Sequence, residues 1–330
     1  MKIKELGERP FLKQIQHMVR KISDAKLDFD DDASDIPMTD EKSLVINVDS
    51  FVAKTDWLPG MTEAQAGRKV SVMALSDIVV KGARPIATLL SLCVPVDYEV
   101  SKAEEIVRGY SQYCLKTGSL FIGGDLGTSD DIILTGIALG IAPPDGIISR
   151  SGACPGDILA VTGRFGLTSV GFEILLNNLE AKESLHKRAL QATYKPELHF
   201  GFISKLAELD AVSSTMDSSD GLSITLHTMS KRSGCGFVVD DLPDSSGVIE
   251  FARKYNLDEY QMIFGGGEEF IHVLTIPEEK WNLAAEVAKD SNIPLQRIGQ
   301  ATSENRVLLR ESSGTIEIPV YGYDSFREWV

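Results

Sequence analysis

The chain has few of the residues on which redox, zinc-binding and nucleic-acid-binding proteins depend. Its four cysteines are scattered without metal-type spacing, and each lies in or beside an apolar segment, so we interpret them as reduced core residues. Basic residues are outnumbered, with 33 Lys and Arg against 48 Asp and Glu. A formal charge of −15 repels a polyanionic surface, so we predict no nucleic-acid partner.

Long hydrophobic runs are also missing. No segment approaches the roughly 20 apolar residues that a membrane-spanning helix needs, and the charged stretch from Met1 to Lys26 is not typical of a signal peptide. We therefore predict no membrane partner and a cytoplasmic location. With 330 residues and 43% hydrophobic content, the chain is expected to bury a sizeable core and to form two domains.

The common motifs of nucleotide chemistry are absent as well. The chain has no Gly-x-x-x-x-Gly-Lys-Ser/Thr loop, no Gly-x-Gly-x-x-Gly after a strand and no kinase catalytic loop. It also has no nucleophile elbow, no His-rich metal site and no internal repeat. The remaining candidates for chemistry are oxygen-bearing side chains, mostly aspartates.

Hydrophobic periodicity predicts an α/β (α+β) chain with two domains. Residues 1–146 form the first domain, which ends near the linker Ala142-Pro143-Pro144-Asp145-Gly146, and residues 147–330 form the second. The predicted elements of the first domain are helices at 9–22, 63–81 and 101–118 and strands at 43–52, 86–94, 119–122 and 132–141. Those of the second are strands at 158–162, 211–216, 271–276 and 295–298, a helix at 163–177 followed by further helices up to Leu209, helices from 217 to about 231 and at 278–291, and a hairpin around 312–314.

The segment Gly123-Gly124-Asp125 lies between two predicted strands. Two adjacent glycines allow a backbone to approach a bulky ligand, and Asp125 adds a hard carboxylate oxygen at the same place. This combination suits a phosphate chain that carries Mg²⁺. An ordinary tight turn has the same composition, so the segment alone does not decide between the two interpretations.

Asp77 is the most informative single residue, because it lies within the most apolar part of the predicted helix 63–81. A carboxylate among apolar neighbours must be paired, hydrogen-bonded or bound to a cation, since its isolated burial costs several kcal/mol.

Other polar side chains occur at the ends of apolar elements. Asn47 and Asp49 share one face of a predicted strand, where a merely solvated face is the simpler interpretation. Asp217, Ser219 and Asp220 open a predicted helix, where they either cap it or bind an anion and its metal. The full oxygen-donor set suits Mg²⁺ better than zinc and comprises Asp32, Asp49, Asp77, Asp125, Asp217 and Asp220.

Seven segments in order resemble the motifs of the thiamine-monophosphate kinase family, whose superfamily includes aminoimidazole ribonucleotide synthetase, selenophosphate synthetase and a hydrogenase maturation factor. The resemblance runs from about residue 28 to Phe326. The segments are Asp30-Asp31-Asp32-Ala33, Asn47-Val48-Asp49, Leu75-Ser76-Asp77, Gly123-Gly124-Asp125, Ser149-Arg150-Ser151-Gly152, Asp217-Ser218-Ser219-Asp220-Gly221-Leu222 and Gly266-Gly267-Glu268.

The resemblance implies two α/β domains, with the N-terminal sheet pairing with its copy in a homodimer to make a barrel-like core, and a C-terminal α/β sandwich. It implies direct transfer of phosphate from ATP to thiamine monophosphate with Mg²⁺. By the same resemblance, Mg²⁺ is held by Asp32, Asn47, Asp49, Asp77, Asp125, Asp217 and Asp220. The nucleotide is bound by Gly124, Asp125, Arg150 and Ser219, and the thiamine substrate by Asp56, Glu268 and Tyr323.

The chain departs from the family pattern in four places. Asp30 replaces a glycine, Asn47 a hydroxyl residue and Asp56 a histidine, and Glu269-Phe270 stands where Asp-Tyr is usual. Two alternatives therefore remain open: another ATP-dependent synthetase or ligase of the superfamily, or a nucleotide-binding partner protein without activity. Selenophosphate synthesis is disfavoured because no cysteine lies near the N-terminal acidic loop.

Overall fold

The computed structural model describes residues 2–323 and residue 326. Within them, the strands form one mixed sheet of five strands and one mixed sheet of seven. The first sheet has the order β1-β2-β5-β3-β4 and the second the order β12-β11-β8-β10-β6-β9-β7. The predicted two-domain α/β fold is confirmed.

The elements of the first half alternate between the sheet and the helices that cover it. They are α1 (Ile3–Leu6), α2 (Glu8–Ile15), β1 (Ser34–Thr39), β2 (Lys42–Val52), α3 (Ala53–Asp56), α4 (Glu63–Val80), β3 (Arg84–Val94), α5 (Val100–Lys116), β4 (Leu120–Thr128) and β5 (Ile133–Ala142), with short 3₁₀ turns at Gln16–Met18 and Pro144–Gly146.

The second half follows the same plan around the larger sheet. Its elements are β6 (Ile158–Val161), α6 (Leu167–Asn177), α7 (Glu183–Tyr194), α8 (Phe202–Glu208), β7 (Ser214–Ser218), α9 (Leu222–Ser233), β8 (Gly236–Val239), α10 (Val248–Tyr255), α11 (Glu259–Phe264), β9 (Ile271–Ile276), α12 (Trp281–Asp290), β10 (Gln296–Thr302), β11 (Val307–Glu311) and β12 (Gly314–Glu317), with a 3₁₀ turn at Glu278–Lys280.

Helix α4 lies between the two halves of the molecule. It packs on β2, β3 and β5 of the first sheet and also against β7 of the second. Twelve of its 18 residues are buried, and they lie on every side of the helix, as expected for a helix enclosed by protein. Its first turn is fixed by a capping box, in which the Thr62 hydroxyl accepts from the Gln65 backbone N–H and the Gln65 side chain accepts from the Thr62 N–H.

Helices α4 and α5 cross at two glycines. A Cβ atom at Gly67 would lie 1.9 Å from the Ile106 carbonyl oxygen, and one at Gly109 would lie 1.9 Å from the Ala64 carbonyl oxygen. Each glycine therefore allows the backbone of one helix to touch the other. Helix α4 can therefore pack closely against α5 while it also packs on β2, β3 and β5.

Several sequence predictions need correction. Gly123-Gly124-Asp125 is not a turn, because β4 continues through it to Thr128 with a register irregularity against β3. No capping box begins at Ser101, since α5 has Glu99 as its N-cap residue without a side-chain cap. The predicted helix 9–22 ends at Ile15 and buries no residue. Among the cysteines, Cys154 is exposed, not part of the core.

Six elements escaped the sequence prediction altogether, namely α1, β1, α3, β8, α10 and α11. All six have eight residues or fewer, and β8 has only four, fully buried in the second sheet. A run this short carries too little periodicity to separate a strand from a loop.

We predict that Gly109→Ala destabilises the protein by about 3 kcal/mol, because the added methyl group must displace the backbone of α4. Urea unfolding followed by circular dichroism measures the change. Lys102→Ala, on an exposed position of the same helix, is the matched control and should change the stability by less than about 0.5 kcal/mol. Equal effects of the two substitutions would show that the helices do not cross at Gly109.

Candidate active site

Three aspartates from distant parts of the chain meet beside the middle of the molecule. Asp32 precedes β1, Asp77 lies in the last turns of α4, and Asp217 lies near the end of β7. One carboxylate oxygen of each lies within 4.8 Å of those of the other two. The Ser76 hydroxyl donates a hydrogen bond of 2.5 Å to Asp217 and so links helix α4 to strand β7 within the group.

The carboxyl groups of Asp32, Asp77 and Asp217 lie close enough together to raise the pKa values of Asp77 and Asp217. Burial, and then the neighbouring Asp217 and Asp32 carboxylates, raise the pKa of Asp77 well above its usual value. Burial and Asp32 likewise raise the pKa of Asp217 to about 7. Carboxylates in such a place either hold protons or bind cations.

Asp31 and Asp32 differ from the other carboxylates because basic side chains contact them. The Lys81 ammonium lies 2.8 Å from Asp31 and 2.6 Å from Asp32, and Arg150 forms a short hydrogen bond to Asp32. Burial alone would raise the pKa of Asp31, but Lys81 and Arg150 lower it to about 2. Ser149 donates a further hydrogen bond of 2.6 Å to Asp31.

Asn47 and Asp49 lie on the face of the first sheet that α4 covers. Asn47 is buried and its amide nitrogen lies 3.4 Å from the Ala74 carbonyl oxygen, whereas Val48 is 62% exposed. The two polar residues share a face as predicted, but the simpler interpretation of a solvated face is wrong. Burial, together with the Asp220 carboxylate, raises the pKa of Asp49 to about 7.

Asp125 is not part of the carboxylate group. It occupies the register row of Ser91, Thr135 and Ser50, while Asp49 occupies the next row. Since successive residues of a strand face opposite sides, Asp125 belongs to the side of the sheet away from α4. Gly124 is required by the sheet itself, because a Cβ there would lie 1.8 Å from the Leu90 carbonyl oxygen. Their roles toward metal and nucleotide stay predictions.

Backbone hydrogen bonds bring the loop after β7 together with two other predicted site segments. The Glu268 N–H donates to the Ser219 carbonyl at 2.6 Å, and the Tyr323 N–H donates to the Asp220 carbonyl at 3.2 Å. Ser219 and Asp220 lie between β7 and α9, whose N-cap residue is Gly221, so neither caps this helix with its side chain. The side chains of Ser219 and Asp220 therefore have no part in capping α9.

The Glu268 carboxylate is held by a buried lysine of helix α4. Lys69 is fully buried, and its ammonium lies 2.5 Å from Glu268. The backbone of Glu268 has a φ of +63°, in the left-handed region that side chains other than glycine adopt at a cost. The ion pair and the hydrogen bond to Ser219 together hold Glu268 in this conformation.

The unusual residues beside the predicted substrate segments have structural partners. Asp56 accepts a hydrogen bond of 2.7 Å from the Val52 N–H and so closes the turn after β2. Glu269 accepts from the Gly166 and Leu167 N–H groups at the start of α6. Phe270 is 4% exposed and packs in the core around the first sheet.

The N-terminal segment reaches the site from outside. Arg9 in α2 donates to Asp220 at 2.7 Å. Burial raises the pKa of Asp220 to about 6 in spite of this partner. Asp220 is thus neutralised only in part, and from a segment that has no buried residue.

The residues present fit divalent cations such as Mg²⁺. All the donors are oxygens, as Mg²⁺ prefers. The buried Oδ2 atom of Asp32 is ion-paired with the Lys81 ammonium at 2.6 Å, without a hydrogen bond among residues 2–323 and 326. The carboxylate oxygens of Asp32, Asp77 and Asp217, all within 4.8 Å of one another, are chemically suited to a divalent cation.

Four residues of the site were missed from the sequence: Asp31, Lys69, Lys81 and Arg9. Lys69 and Lys81 carried a usable signal, since each is a charged residue within or at the end of the same apolar helix as Asp77. A buried charge in such a helix implies an opposite charge nearby. Arg9 lies in an exposed amphipathic segment and carried no signal.

Both halves of the chain match models of known protein families. Residues 30–142 match "AIR synthase related protein, N-terminal domain", and residues 154–310 match "AIR synthase related protein, C-terminal domain". The two α/β sheets and the acidic group between them thus define an AIR synthase related protein.

Curated relatives give the family within that class. Thiamine-monophosphate kinase of Nitrosopumilus maritimus is 32% identical over 87% of this chain and 90% of its own, and that of Pyrococcus abyssi is 31% identical over 89% of each. The chain belongs to the thiamine-monophosphate kinase family, which confirms the resemblance inferred from the seven motifs.

Solved structures agree on the fold. A crystal structure from Thermus thermophilus is 28% identical, with a TM-score of 0.86 over 97% of this chain and 100% of that one. AaThiL complexed with AMPPCP and TMP is 24% identical, with a TM-score of 0.84 over 98% and 99% of the two chains. At that identity the second likeness supports the fold alone.

His272 is a buried residue beside the site that has no hydrogen-bond partner. It lies opposite Asp217 on β9, is 0% exposed, and neither ring nitrogen has a partner among the described residues. Burial and the neighbouring His199 lower its pKa to about 3. The folded protein therefore keeps His272 neutral, while the unfolded chain protonates it near pH 6.5.

We predict that His272→Leu makes the protein less sensitive to acid. Between pH 6.5 and about pH 3 the unfolded state binds a proton that the folded state does not, so stability falls by about 1.4 kcal/mol for each pH unit of acidification. Urea unfolding at pH 7 and pH 5 should show the variant gaining about 2 kcal/mol on the original protein over this interval.

His186→Leu is the control, because His186 is exposed and should show no such gain. A constant stability difference between the His272 variant and the original protein at both pH values would contradict the assignment of a neutral buried histidine.

Proposed function

We propose that the protein transfers the γ-phosphate of ATP to thiamine monophosphate, giving thiamine diphosphate and ADP. The observation that carries the proposal is the meeting of Asp32, Asp77 and Asp217 in a chain of the thiamine-monophosphate kinase family. The ATP analogue and TMP present in AaThiL are consistent with it.

The chemical obstacle in such a reaction is repulsion, because donor and acceptor are both phosphates. Bound among the carboxylates, Mg²⁺ supplies positive charge that reduces this repulsion and aligns the two reactants. We propose that Asp32, Asp77 and Asp217 hold metal together with Asp49. Asp220 and Asn47 are the remaining proposed ligands of this group, and Asp125, on the other side of the sheet, is proposed as a metal ligand outside it.

The protein's own groups bind and orient the two reactants. Ser219, Gly124, Asp125 and Arg150 are proposed to attend the nucleotide. Glu268, held by Lys69, and Tyr323, tied by its backbone to Asp220, are proposed to contact the thiamine substrate together with Asp56.

No protein nucleophile is needed for the transfer. The attacking phosphate oxygen is already ionised, so in-line transfer requires positioning and charge neutralisation rather than a strong base. The proposal is therefore a direct transfer without a phosphorylated enzyme. A phosphorylated form of the protein that passes its phosphate to thiamine monophosphate would contradict this step.

The decisive assay measures ADP and thiamine diphosphate in the presence of ATP, Mg²⁺ and thiamine monophosphate. We predict turnover that depends on thiamine monophosphate, and a loss of about 100-fold or more in kcat for Asp77→Asn, because a neutral amide replaces a charged ligand of nearly equal size. The melting temperature of this variant should not fall, since burial and the Asp217 carboxylate already disfavour the charged form of Asp77 and raise its pKa well above its usual value.

Asp290→Asn, an exposed substitution at the end of α12, is the matched control and should keep full activity. ATP turnover that thiamine monophosphate does not accelerate would remove the assignment and favour another synthetase of the superfamily. Nucleotide binding without any turnover would favour a non-catalytic partner protein.

We also propose that the protein is a homodimer formed through the first sheet. Among the described residues, β4 has no neighbouring strand on its outer side. Its Leu120 and Ile122 are each 61% exposed, and Val48 on β2 is 62% exposed. An open edge with apolar side chains is a surface that a second sheet covers in stable proteins.

We predict that the double substitution Leu120→Lys and Ile122→Lys converts a dimer into a monomer, because two charges would be buried in the interface. Sedimentation velocity at micromolar concentration measures the mass. Val96→Lys, at a 91% exposed position in the loop before α5, is the control and should leave the dimer intact. A monomeric original protein would contradict the proposal.

The domain boundary and the location are further proposals. We propose domains at residues 1–146 and 147–330, which the two family matches support because they end at 142 and begin at 154. None of the described helices has the length and apolar character that crossing a membrane requires. We propose that the enzyme acts in the cytoplasm.

A further inference from the structure

Lys81 is a fully buried cation at the centre of the acidic site. It follows the last residue of α4, four positions after Asp77, and its side chain is 0% exposed. Its ammonium contacts three oxygens: Asp31 at 2.8 Å, Asp32 at 2.6 Å and the Thr215 carbonyl at 2.7 Å. The Thr215 carbonyl accepts a hydrogen bond from the ammonium, and the two carboxylates form ion pairs with it.

The charges around Lys81 are balanced by the chain itself. Asp31 and Asp32, whose side chains are 1% and 4% exposed, face Lys81 and Arg150. By contrast, no basic side chain in residues 2–323 and 326 forms an ion pair with Asp77 or Asp217. The site thus has one part neutralised by protein cations and one part that depends on bound cations.

We propose that Lys81 is a positioning residue that does the work of a divalent cation at Asp31 and Asp32, and so holds Asp32 beside Asp77 and Asp217. The inference rests on the metal site of the proposed function. Lys81 supplies part of the positive charge that the buried carboxylates around Asp32 require. Without that lysine, the cluster needs an additional metal ion.

An anchoring role is the competing explanation. The Lys81 ammonium also binds the Thr215 carbonyl of β7, and the Lys81 carbonyl accepts from the Ile148 N–H at 3.2 Å. A lysine that only ties α4 to the second half would stabilise the fold equally with and without metal. The two roles therefore differ in how the loss of Lys81 depends on divalent cations.

The test uses Lys81→Met, which keeps most of the side-chain volume and removes the charge. Mn²⁺ bound to the full-length protein is counted by equilibrium dialysis with electron paramagnetic resonance of the free ion, and melting temperatures are measured in EDTA and in Mn²⁺. We expect one additional Mn²⁺ per chain in the variant. We also expect a melting temperature about 10 °C lower in EDTA that is mostly restored by Mn²⁺.

A second variant, Lys81→Met with Asp31→Asn, guards against a single variant that does not fold. It removes one charge of each sign, so it should fold in EDTA, bind the original number of Mn²⁺ ions and regain most of the lost melting temperature. Lys69→Met is the matched control, because it removes another buried lysine of the same helix that contacts Glu268. Its Mn²⁺ count should not change.

An unchanged Mn²⁺ count in Lys81→Met, with the same loss of melting temperature in EDTA and in Mn²⁺, would overturn the proposal, as would a double variant that is no more stable than the single one. Neither ATP nor thiamine monophosphate is present in these measurements. A failed phosphotransfer assay with the expected Mn²⁺ counts would therefore reject the proposed function while leaving the role of Lys81 in place.

Discussion

Helix α4 is enclosed by protein on all sides, and every charged group on its buried part must therefore find an opposite charge or a cation. The helix packs on the first sheet and against β7 of the second, so water cannot solvate Lys69, Asp77 or Lys81 freely. Lys69 pairs with Glu268, and Lys81 pairs with Asp31 and Asp32. Asp77 pairs with no basic side chain among the described residues and lies beside the carboxylates of Asp32 and Asp217.

This requirement explains why the two halves of the molecule meet where they do. The partners of the α4 charges come from the loop before β1, from the loop before β9 and from the Thr215 carbonyl near the start of β7, so each of these contacts joins separate segments. Breaking a buried pair leaves an uncompensated charge and costs about 3 to 5 kcal/mol, more than most single contacts contribute. The site and the packing of the halves therefore depend on the same side chains.

The departures from the family pattern do not disturb this arrangement. Asp56 and Glu269 bind backbone N–H groups, and Phe270 fills the core, so the unusual residues satisfy local structure. The carboxylates that meet at the centre, Asp32, Asp77 and Asp217, are unaffected by them.

The hydrophobic periodicity of the sequence and the residue types in it sufficed to predict much of this protein's fold and site. The α/β class, the span of α4 and the significance of an aspartate within it follow from residue spacing and from the cost of burying a charge, which are properties of neighbouring residues. The ordered motifs likewise sufficed for the family.

Only the tertiary structure decided which charges meet. Lys81 lies about 50 residues from Asp31 and Asp32 and more than 130 from Thr215, Lys69 pairs with a glutamate 199 residues away, and Gly124 is set by the approach of a neighbouring strand. The side of the sheet that holds Asp125 depended on a register irregularity between β3 and β4. Such contacts arise from how whole elements pack, and no local pattern of residues encodes the distance between two segments far apart in the chain.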